Sequence, residues 1–148
     1  MGRRVQDMSR TGISLAVLVI SVAGWLADRS GAQDAAQIQR GKYLVEDVAR
    51  CVFCHTPHDE RGNEDRTRWL QGGPVWFEPV HKLQDWAYTA PPLAGLPSFT
   101  GDQVIQILQR GLSPEGRKLR LPMHPYHMKR EDAVDIVAYL QSLRPPLR

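Results

Sequence analysis

The chain has 148 residues, of which 19 are basic and 16 acidic, so its formal net charge is +3. The basic residues form no stripe with interleaved aromatic side chains, and we therefore expect no nucleic-acid partner. Only two cysteines are present, at positions 51 and 54, which leaves none for a structural disulfide elsewhere in the chain.

The first 32 residues have the layout of an export signal. Three arginines in the first ten residues precede an uncharged, mostly apolar run at 12–27, and small residues follow at 30–32. The run has 16 residues, fewer than the roughly 20 that span a bilayer. We predict a signal peptide at 1–32 and a periplasmic location, with an uncleaved N-terminal anchor as the alternative. The remaining 33–148 form one small domain with 15 basic and 14 acidic residues.

A first helix is predicted from about Ala36 to Arg50, where apolar side chains recur on one side. It leads directly into Cys51-Val52-Phe53-Cys54-His55. C-x-x-C-H is the attachment signature of haem c. The two thiols add to the vinyl groups of one haem, and the imidazole of His55 then binds the iron as the proximal ligand. In bacteria haem c is attached outside the cytoplasmic membrane, which agrees with the export signal.

Three other interpretations of the two cysteines stay open. A thioredoxin-like C-x-x-C needs a preceding strand, whereas the residues before Cys51 have a helical pattern. A zinc site could use Cys51 and Cys54 with His55 and His58, although structural zinc sites usually combine ligand pairs from separated segments. A plain disulfide between the two cysteines would leave His55 unexplained. We therefore favour one covalent haem c.

A long irregular segment is expected from His58 to Phe99. Its first part is charged and its second part is rich in proline and aromatic residues. The aromatic residues are Trp69, Trp76, Phe77, Trp86 and Tyr88. A loop of this length in a compact domain needs something that organises it. A haem would do so as a large apolar plate, and a small satellite core formed by the aromatic residues is the other interpretation.

Two further helices are predicted downstream. The first runs from about Gly101 to Arg110, with Thr100 as its N-cap and Gly111 as its terminator. The second runs from about Arg130 to Leu143, where apolar residues recur at helical spacing before Pro145-Pro146. No alternating strand pattern is present. The expected fold class is therefore all-α.

This order of elements resembles the class I c-type cytochromes, and most of 36–146 is similar to the cytochrome c domains of bacterial dehydrogenase cytochrome subunits. The similar segments are Gly41–Val45, Cys51–Pro57, Arg110-Gly111, Pro114–Arg117, Leu121–Met123 and Ala138–Leu143. The resemblance implies a class I cytochrome c fold, in which three main helices wrap around one covalently bound haem with a long irregular loop. Those subunits often carry three such domains, whereas this chain has one C-x-x-C-H.

The resemblance also implies the sixth iron ligand, which it places at Met123 in a proline-flanked loop. The alternatives are Met128, His124 and His127. A Met just ahead of a helix, as at position 128, more often packs onto that helix.

A further residue follows from the resemblance of Ala90–Gly95 to the G-P-N-L-x-G segment of class I cytochromes. In that segment the proline carbonyl fixes the proximal His, and Pro91 is the matching residue. Ala90 and Pro92 replace the Gly and Asn of the pattern, so the local turn can differ. An ordinary proline-rich connector is the other interpretation. Trp86, Tyr126 and Arg117 are candidates for contact with the haem propionates.

The implied function is electron transfer rather than catalysis, because His and Met together leave the iron no open position. The expected partners are redox proteins: a periplasmic dehydrogenase, a terminal oxidase or another cytochrome. Membrane contact is expected only if the N-terminal segment stays uncleaved. A haem subunit, or a small-ligand sensor or catalyst with a displaceable sixth ligand, is the alternative. Six basic residues against Glu115 within 110–130 suggest a docking face, or else a solvated surface that balances the propionates.

Overall fold

The structure, a computed structural model, describes residues 34–143. Contacts divide the chain into two units, Met1–Ala36 and Gln37–Arg148. Of the first unit only 34–36 are described, and they are helical. The expected signal peptide and its cleavage site lie outside the described residues. Among the residues that are described, no helix combines the length and the apolar character needed to cross a membrane.

The described part is mainly helical, with a short antiparallel strand pair. Helix α1 covers 34–43 and continues into a π-helical turn, Leu44–Val48; α2 is Val52–His55, α3 is Gly101–Arg110 and α4 is Arg130–Ser142. Strand β1, Gly73–Pro74, pairs with β2, Thr89–Ala90. A 3₁₀ turn, Arg66–Arg68, lies between α2 and β1.

The two later helices agree with the sequence prediction. α3 has the predicted bounds, and its start is closed by a capping box in which Thr100 and Gln103 exchange hydrogen bonds. Gly111 ends α3 with φ of 66°, a left-handed conformation that suits glycine. α4 ends at Ser142, one residue before the predicted end.

The region around α2 differs from the prediction. The first helix was expected to continue to Arg50, but the helical turns end at Val48 and Arg50 has φ of 53°. This left-handed residue redirects the chain, so that the C-x-x-C-H motif forms the separate helix α2. The strand pair was not predicted, because each strand has only two residues and therefore no alternating pattern.

The helices pack on one hydrophobic core. Its buried members are Leu44, Val45, Val52, Leu70, Ala94, Leu96, Val104, Ile105, Leu108, Ala133, Ile136, Val137, Tyr139 and Leu140. α1 and α4 approach so closely that a Cβ on Gly41 would lie 1.9 Å from the Asp135 carbonyl oxygen. Arg40 on α1 also pairs with Asp132 and Asp135 on α4. Only glycine fits position 41.

Glu46 links the helices to the irregular segment. Its Oε1 accepts a hydrogen bond from Trp69 Nε1 at 3.0 Å and another from the Tyr139 hydroxyl, while Oε2 pairs with Lys42. Burial acts to raise the pKa of Glu46, but these hydrogen bonds outweigh it, and the pKa lies below its ordinary value.

Candidate haem site

Helix α2 presents the two cysteines one short turn apart. The His55 amide donates to the Cys51 carbonyl at 2.9 Å, and the Cys51 amide donates to the Val45 carbonyl at 2.9 Å. Both cysteines are half-buried free thiols. Burial raises the pKa of the Cys51 thiol to about 12. The residues ahead of the motif are helical, so the strand that a thioredoxin-like motif requires is not there.

His55 is buried and its ring is oriented by one hydrogen bond. The side chain is 7% exposed, and Nδ1 lies 2.8 Å from the Pro91 carbonyl oxygen. A carbonyl oxygen can only accept, so Nδ1 carries the hydrogen and Nε2 keeps its lone pair. Burial lowers the pKa of His55, against a smaller opposite effect of the bond to Pro91. The neutral imidazole is the form that binds metals.

The Pro91 carbonyl is positioned by residues 70–73. The Gly72 amide donates to the His55 carbonyl at 2.8 Å, and Gly73 pairs with Ala90 across the β1–β2 ladder. Gly72 has φ of 71°, and a Cβ there would come within 2.7 Å of the Pro91 carbonyl carbon. The sequence analysis missed Gly72. The Gly72-Gly73-Pro74 run was the available signal, since paired glycines mark a turn or a close backbone approach.

Thr56 and Leu70 also help to hold the segment around Pro91 in place. The buried Thr56 hydroxyl accepts from the Leu70 amide at 3.1 Å, and the Leu70 carbonyl accepts from the amides of Leu93 and Ala94 at 2.8 and 3.0 Å. The chain segment after Pro91 is therefore tied to the end of α2. These bonds were also missed, because a lone Thr after the motif gives no sequence signal for a partner 14 residues away.

The four candidates for the sixth ligand occupy different environments. Met123 is half-buried and is not among the residues packed on the core, and its amide donates to the Arg120 carbonyl at 3.1 Å. Met128 packs against the core, and its amide donates to the Leu108 carbonyl at 3.0 Å. His124 and His127 are exposed. Met128 is thus used in packing, as a Met ahead of a helix is expected to be.

Aromatic side chains connect the C-x-x-C-H motif to the irregular segment. Phe53, which lies between the two cysteines, is 5.6 Å from Phe77 between ring centroids, and Phe77 is 5.7 Å from Trp86. Trp76 and His58 join the same cluster, with their rings stacked at 5.0 Å. Of the five aromatic residues in the irregular segment, Trp76, Phe77 and Trp86 thus form a satellite cluster, whereas Trp69 packs against the main core and Tyr88 is exposed.

Of the three residues considered for propionate contact, two are already engaged. The Tyr126 hydroxyl donates to the Ala49 carbonyl at 2.8 Å, and Arg117 lies 3.4 Å from the Glu115 carboxylate. Trp86 is 6% exposed, and its buried Nε1 has no hydrogen-bond partner in the part of the chain that the structure describes. A buried N–H normally has an acceptor. This unpaired donor fits a group that brings an anionic oxygen, as a haem propionate does.

Between residues 34 and 143, no three His, Cys, Asp or Glu side chains converge to hold a metal ion. Cys51, Cys54, His55 and His58 are therefore not gathered into a zinc site. Two free thiols, a buried imidazole with its Nε2 lone pair available, and an unpaired indole N–H fit haem c instead.

Comparison with known proteins agrees with this donor set. The family model for cytochrome c matches residues 38–144. A diheme cytochrome c-type protein of Cereibacter sphaeroides is 50% identical over 40 residues, which cover 27% of this chain and 14% of that protein. The chain thus spans only a small part of that relative's length. The sequence-based prediction of a class I c-type cytochrome is confirmed, and the chain belongs to the cytochrome c family.

Proposed function

We propose that this chain is an exported monohaem electron carrier, in which Cys51 and Cys54 hold haem c and His55 and Met123 bind its iron. Membership of the cytochrome c family implies covalent haem and haem-based electron transfer. The ligand pair, the haem count and the compartment are the proposal. When bound, haem c supplies the one-electron chemistry, and the protein supplies ligands, burial and a docking face.

The observation that carries the proposal is the hydrogen bond from His55 Nδ1 to the Pro91 carbonyl at 2.8 Å. A metal-binding imidazole characteristically donates its other ring N–H to an acceptor, which fixes the orientation of the ring and raises its basicity. Here that acceptor is held by the β1–β2 ladder and Gly72 on one side and by the Leu70 carbonyl on the other. His55 is therefore pre-oriented to present Nε2.

Met123 is supported by contrast with Met128. Met128 packs on the core, which is the usual role of a Met just ahead of a helix. Met123 lies outside the core in a loop whose neighbours are fixed by hydrogen bonds. Trp86 supports a position for the propionates near the Met123 loop. Its carbonyl accepts from Arg120, it is paired with Leu121 in an isolated bridge, and its buried N–H is unpaired among the described residues. In this proposal α1, α3, α4 and the loop enclose the haem.

The haem count and the compartment follow from the sequence. One C-x-x-C-H among 148 residues supports one haem, although the relative is named as a diheme protein. The predicted export signal at 1–32 supports a periplasmic location. Two protein side chains on the iron leave no position for a substrate, which supports a carrier rather than an enzyme.

We propose periplasmic redox proteins as partners: a dehydrogenase, a terminal oxidase or another cytochrome. Their docking face would be the basic segment 110–130. Arg120 and Arg117 in this segment have partners of their own, Trp86 and Glu115. Within residues 34–143, no ion pair involves the four remaining basic residues, Arg110, Lys118, Lys129 and Arg130. The Trp86 partner is an uncharged carbonyl, so Arg120 also keeps its positive charge, and the segment as a whole has the excess of positive charge that attracts an acidic partner.

The test is a comparison of two methionine variants in the exported, haem-loaded protein. Met123→Ala should convert the oxidised haem to a high-spin or water-ligated spectrum and remove the weak long-wavelength band of Met–Fe(III) ligation. Met128→Ala should lower stability by about 2–5 kcal/mol, the usual cost of truncating a packed Met, and leave the spectrum unchanged. The haem should stay with the denatured chain on a peroxidase-stained gel.

Other outcomes would change the assignment in a definite way. If Met128→Ala alone changed the spectrum, Met128 would be the ligand. If neither variant changed it, His124 or His127 would take that place. High-spin features in the unmodified protein would favour the sensor or catalyst with a displaceable sixth ligand.

A further inference from the structure

The segment that carries Met123 is tied to the aromatic loop by two short hydrogen bonds. The Arg120 guanidinium donates to the Trp86 carbonyl oxygen at 2.6 Å, and the Ala87 amide donates to the Leu121 carbonyl at 2.6 Å. Residues 86 and 121 also form an isolated parallel bridge. Both residues immediately before Pro122-Met123 are therefore held by consecutive residues of one neighbouring segment.

Arg120 takes part in the Met123 turn as well as in this contact. Its carbonyl oxygen accepts from the Met123 amide at 3.1 Å. A displacement of Arg120 would thus be passed to Met123 through one backbone hydrogen bond. The guanidinium bond is charge-assisted and short, and such bonds are about twice as strong as neutral ones.

The other end of the contact is buried and packed. Trp86 is 6% exposed, and its ring packs against Phe77, which in turn packs against Phe53. Phe53 lies between the two cysteines on α2. A continuous series of packed side chains therefore runs from the attachment motif to the carbonyl that accepts from Arg120.

We propose that Trp86 and Ala87 act as a strap on the Met123 loop, with Arg120 as the positioning residue that sets how firmly Met123 stays on the iron. This rests on the proposed function, since it assumes that Met123 is the sixth ligand. The strap stabilises the bound state to the extent that its bonds form when Met123 is on the iron and are lost when Met123 leaves. Arg120 is then one of the least replaceable basic residues in 110–130, for a reason separate from docking.

Imidazole is a suitable probe, because the form that binds iron is neutral and it binds ferric haem only after the sixth ligand has left. Its apparent affinity is the intrinsic affinity multiplied by the fraction of protein with Met123 off the iron. Arg120→Gln should raise that affinity severalfold, since it removes a hydrogen bond from a charged donor whose side chain is otherwise exposed. Arg117→Gln is the matched control. It removes the same charge three residues away, from a side chain that is 78% exposed and contacts only its own turn.

Met123→Ala marks the upper limit of imidazole affinity, because no internal ligand competes in it. The strap is supported if Arg120→Gln lies between Arg117→Gln and Met123→Ala. It is rejected if Arg120→Gln and Arg117→Gln bind imidazole equally well, because loss of charge alone would then explain both. If Met123→Ala bound imidazole no better than the unmodified protein, the ligand assignment itself would fall, and the strap with it. Circular dichroism of each variant shows that the helices are intact.

Discussion

The helical frame and the irregular segment of this cytochrome are stabilised in different ways. Of the fourteen buried core residues among those described, ten lie on α3, α4 and the π-helical turn that follows α1, whereas the 42 residues of 58–99 contribute three. The helical frame is stabilised mainly by apolar packing among its own helices. The segment is held by single hydrogen bonds between distant backbone groups and by a small aromatic cluster, and it leaves two buried nitrogens, Trp86 Nε1 and His58 Nδ1, without a hydrogen-bond partner among the described residues.

This difference indicates that the irregular segment depends on the cofactor more than the helical frame does. A loop of this length in a compact domain needs an organising partner, and its aromatic cluster leaves Trp76 45% exposed. The buried Trp86 N–H also needs an acceptor. Among the described residues, the helical frame has no buried side-chain nitrogen or oxygen without a hydrogen-bond partner. Substitutions in the helical frame should therefore alter the free energy of unfolding, and substitutions in the irregular segment should alter the haem spectrum and ligand binding.

The largest expected effect is in the frame, at Gly41. Gly41→Ala places a Cβ 1.9 Å from the Asp135 carbonyl oxygen, which is backbone and cannot move aside cheaply. We expect a loss of about 3 kcal/mol or more in the free energy of unfolding. Urea denaturation of the haem-loaded protein, followed by circular dichroism, measures this.

A second helical glycine provides the control. A Cβ on Gly101 would lie 3.0 Å from Val137 Cγ1, so the contact is longer than that at Gly41 and involves a side-chain methyl instead of backbone. Gly101→Ala should therefore change stability by less than about 1 kcal/mol, because the gain in helix propensity offsets the contact. If both variants lost the same free energy of unfolding, the close approach of α1 and α4 would not be the reason why position 41 requires glycine.

The next largest effect on stability is expected at Glu46, which links the helical frame to the irregular segment, and this effect depends on pH. The folded protein lowers the pKa of Glu46 from its ordinary value of 4.5. The carboxylate therefore contributes stability that is fully present above that ordinary value and is lost as pH falls through the folded pKa. Glu46→Gln keeps one acceptor oxygen but loses the charge, so it should cost about 1 kcal/mol near neutral pH.

The pH dependence is what distinguishes this contribution from simple packing. The stability difference between Glu46→Gln and the unmodified protein should begin to shrink as pH falls below the ordinary value of 4.5, and it should vanish as pH falls through the lower folded pKa, where the native carboxylate becomes protonated. Glu60→Gln removes a carboxylate that is exposed and has no ion pair within residues 34–143, and it should have no such effect. A difference of the same size at acidic and neutral pH would contradict the ionic role of Glu46.

The same division explains which parts could be predicted from the sequence. α3 was placed at its observed bounds because a Thr cap, an apolar stripe and a terminating Gly are local signals. The C-x-x-C-H motif is equally local. Gly72, the Thr56–Leu70 bond and the Arg120–Trp86 bond could not be found this way, because each depends on a partner 14 to 34 residues away or on backbone proximity. The turn at Arg50 was missed because arginine carries no signal for a positive φ.

The smallest expected effect on stability belongs to exposed charges in 110–130, the proposed docking face. Arg117→Glu with Lys118→Glu reverses two exposed charges, and neither side chain reaches the core. Stability and the haem spectrum should be unchanged. The second-order rate of haem reduction by an acidic partner should fall severalfold at low salt, because such charges steer the encounter. Since charges are screened over about 8 Å at physiological ionic strength, the difference should fade as salt rises.

Arg61→Glu with Lys82→Glu makes the same change in net charge outside 110–130 and should slow the reaction less. Equal slowing by both pairs would mean that the partner senses net charge alone, and 110–130 would lose its place as the docking face.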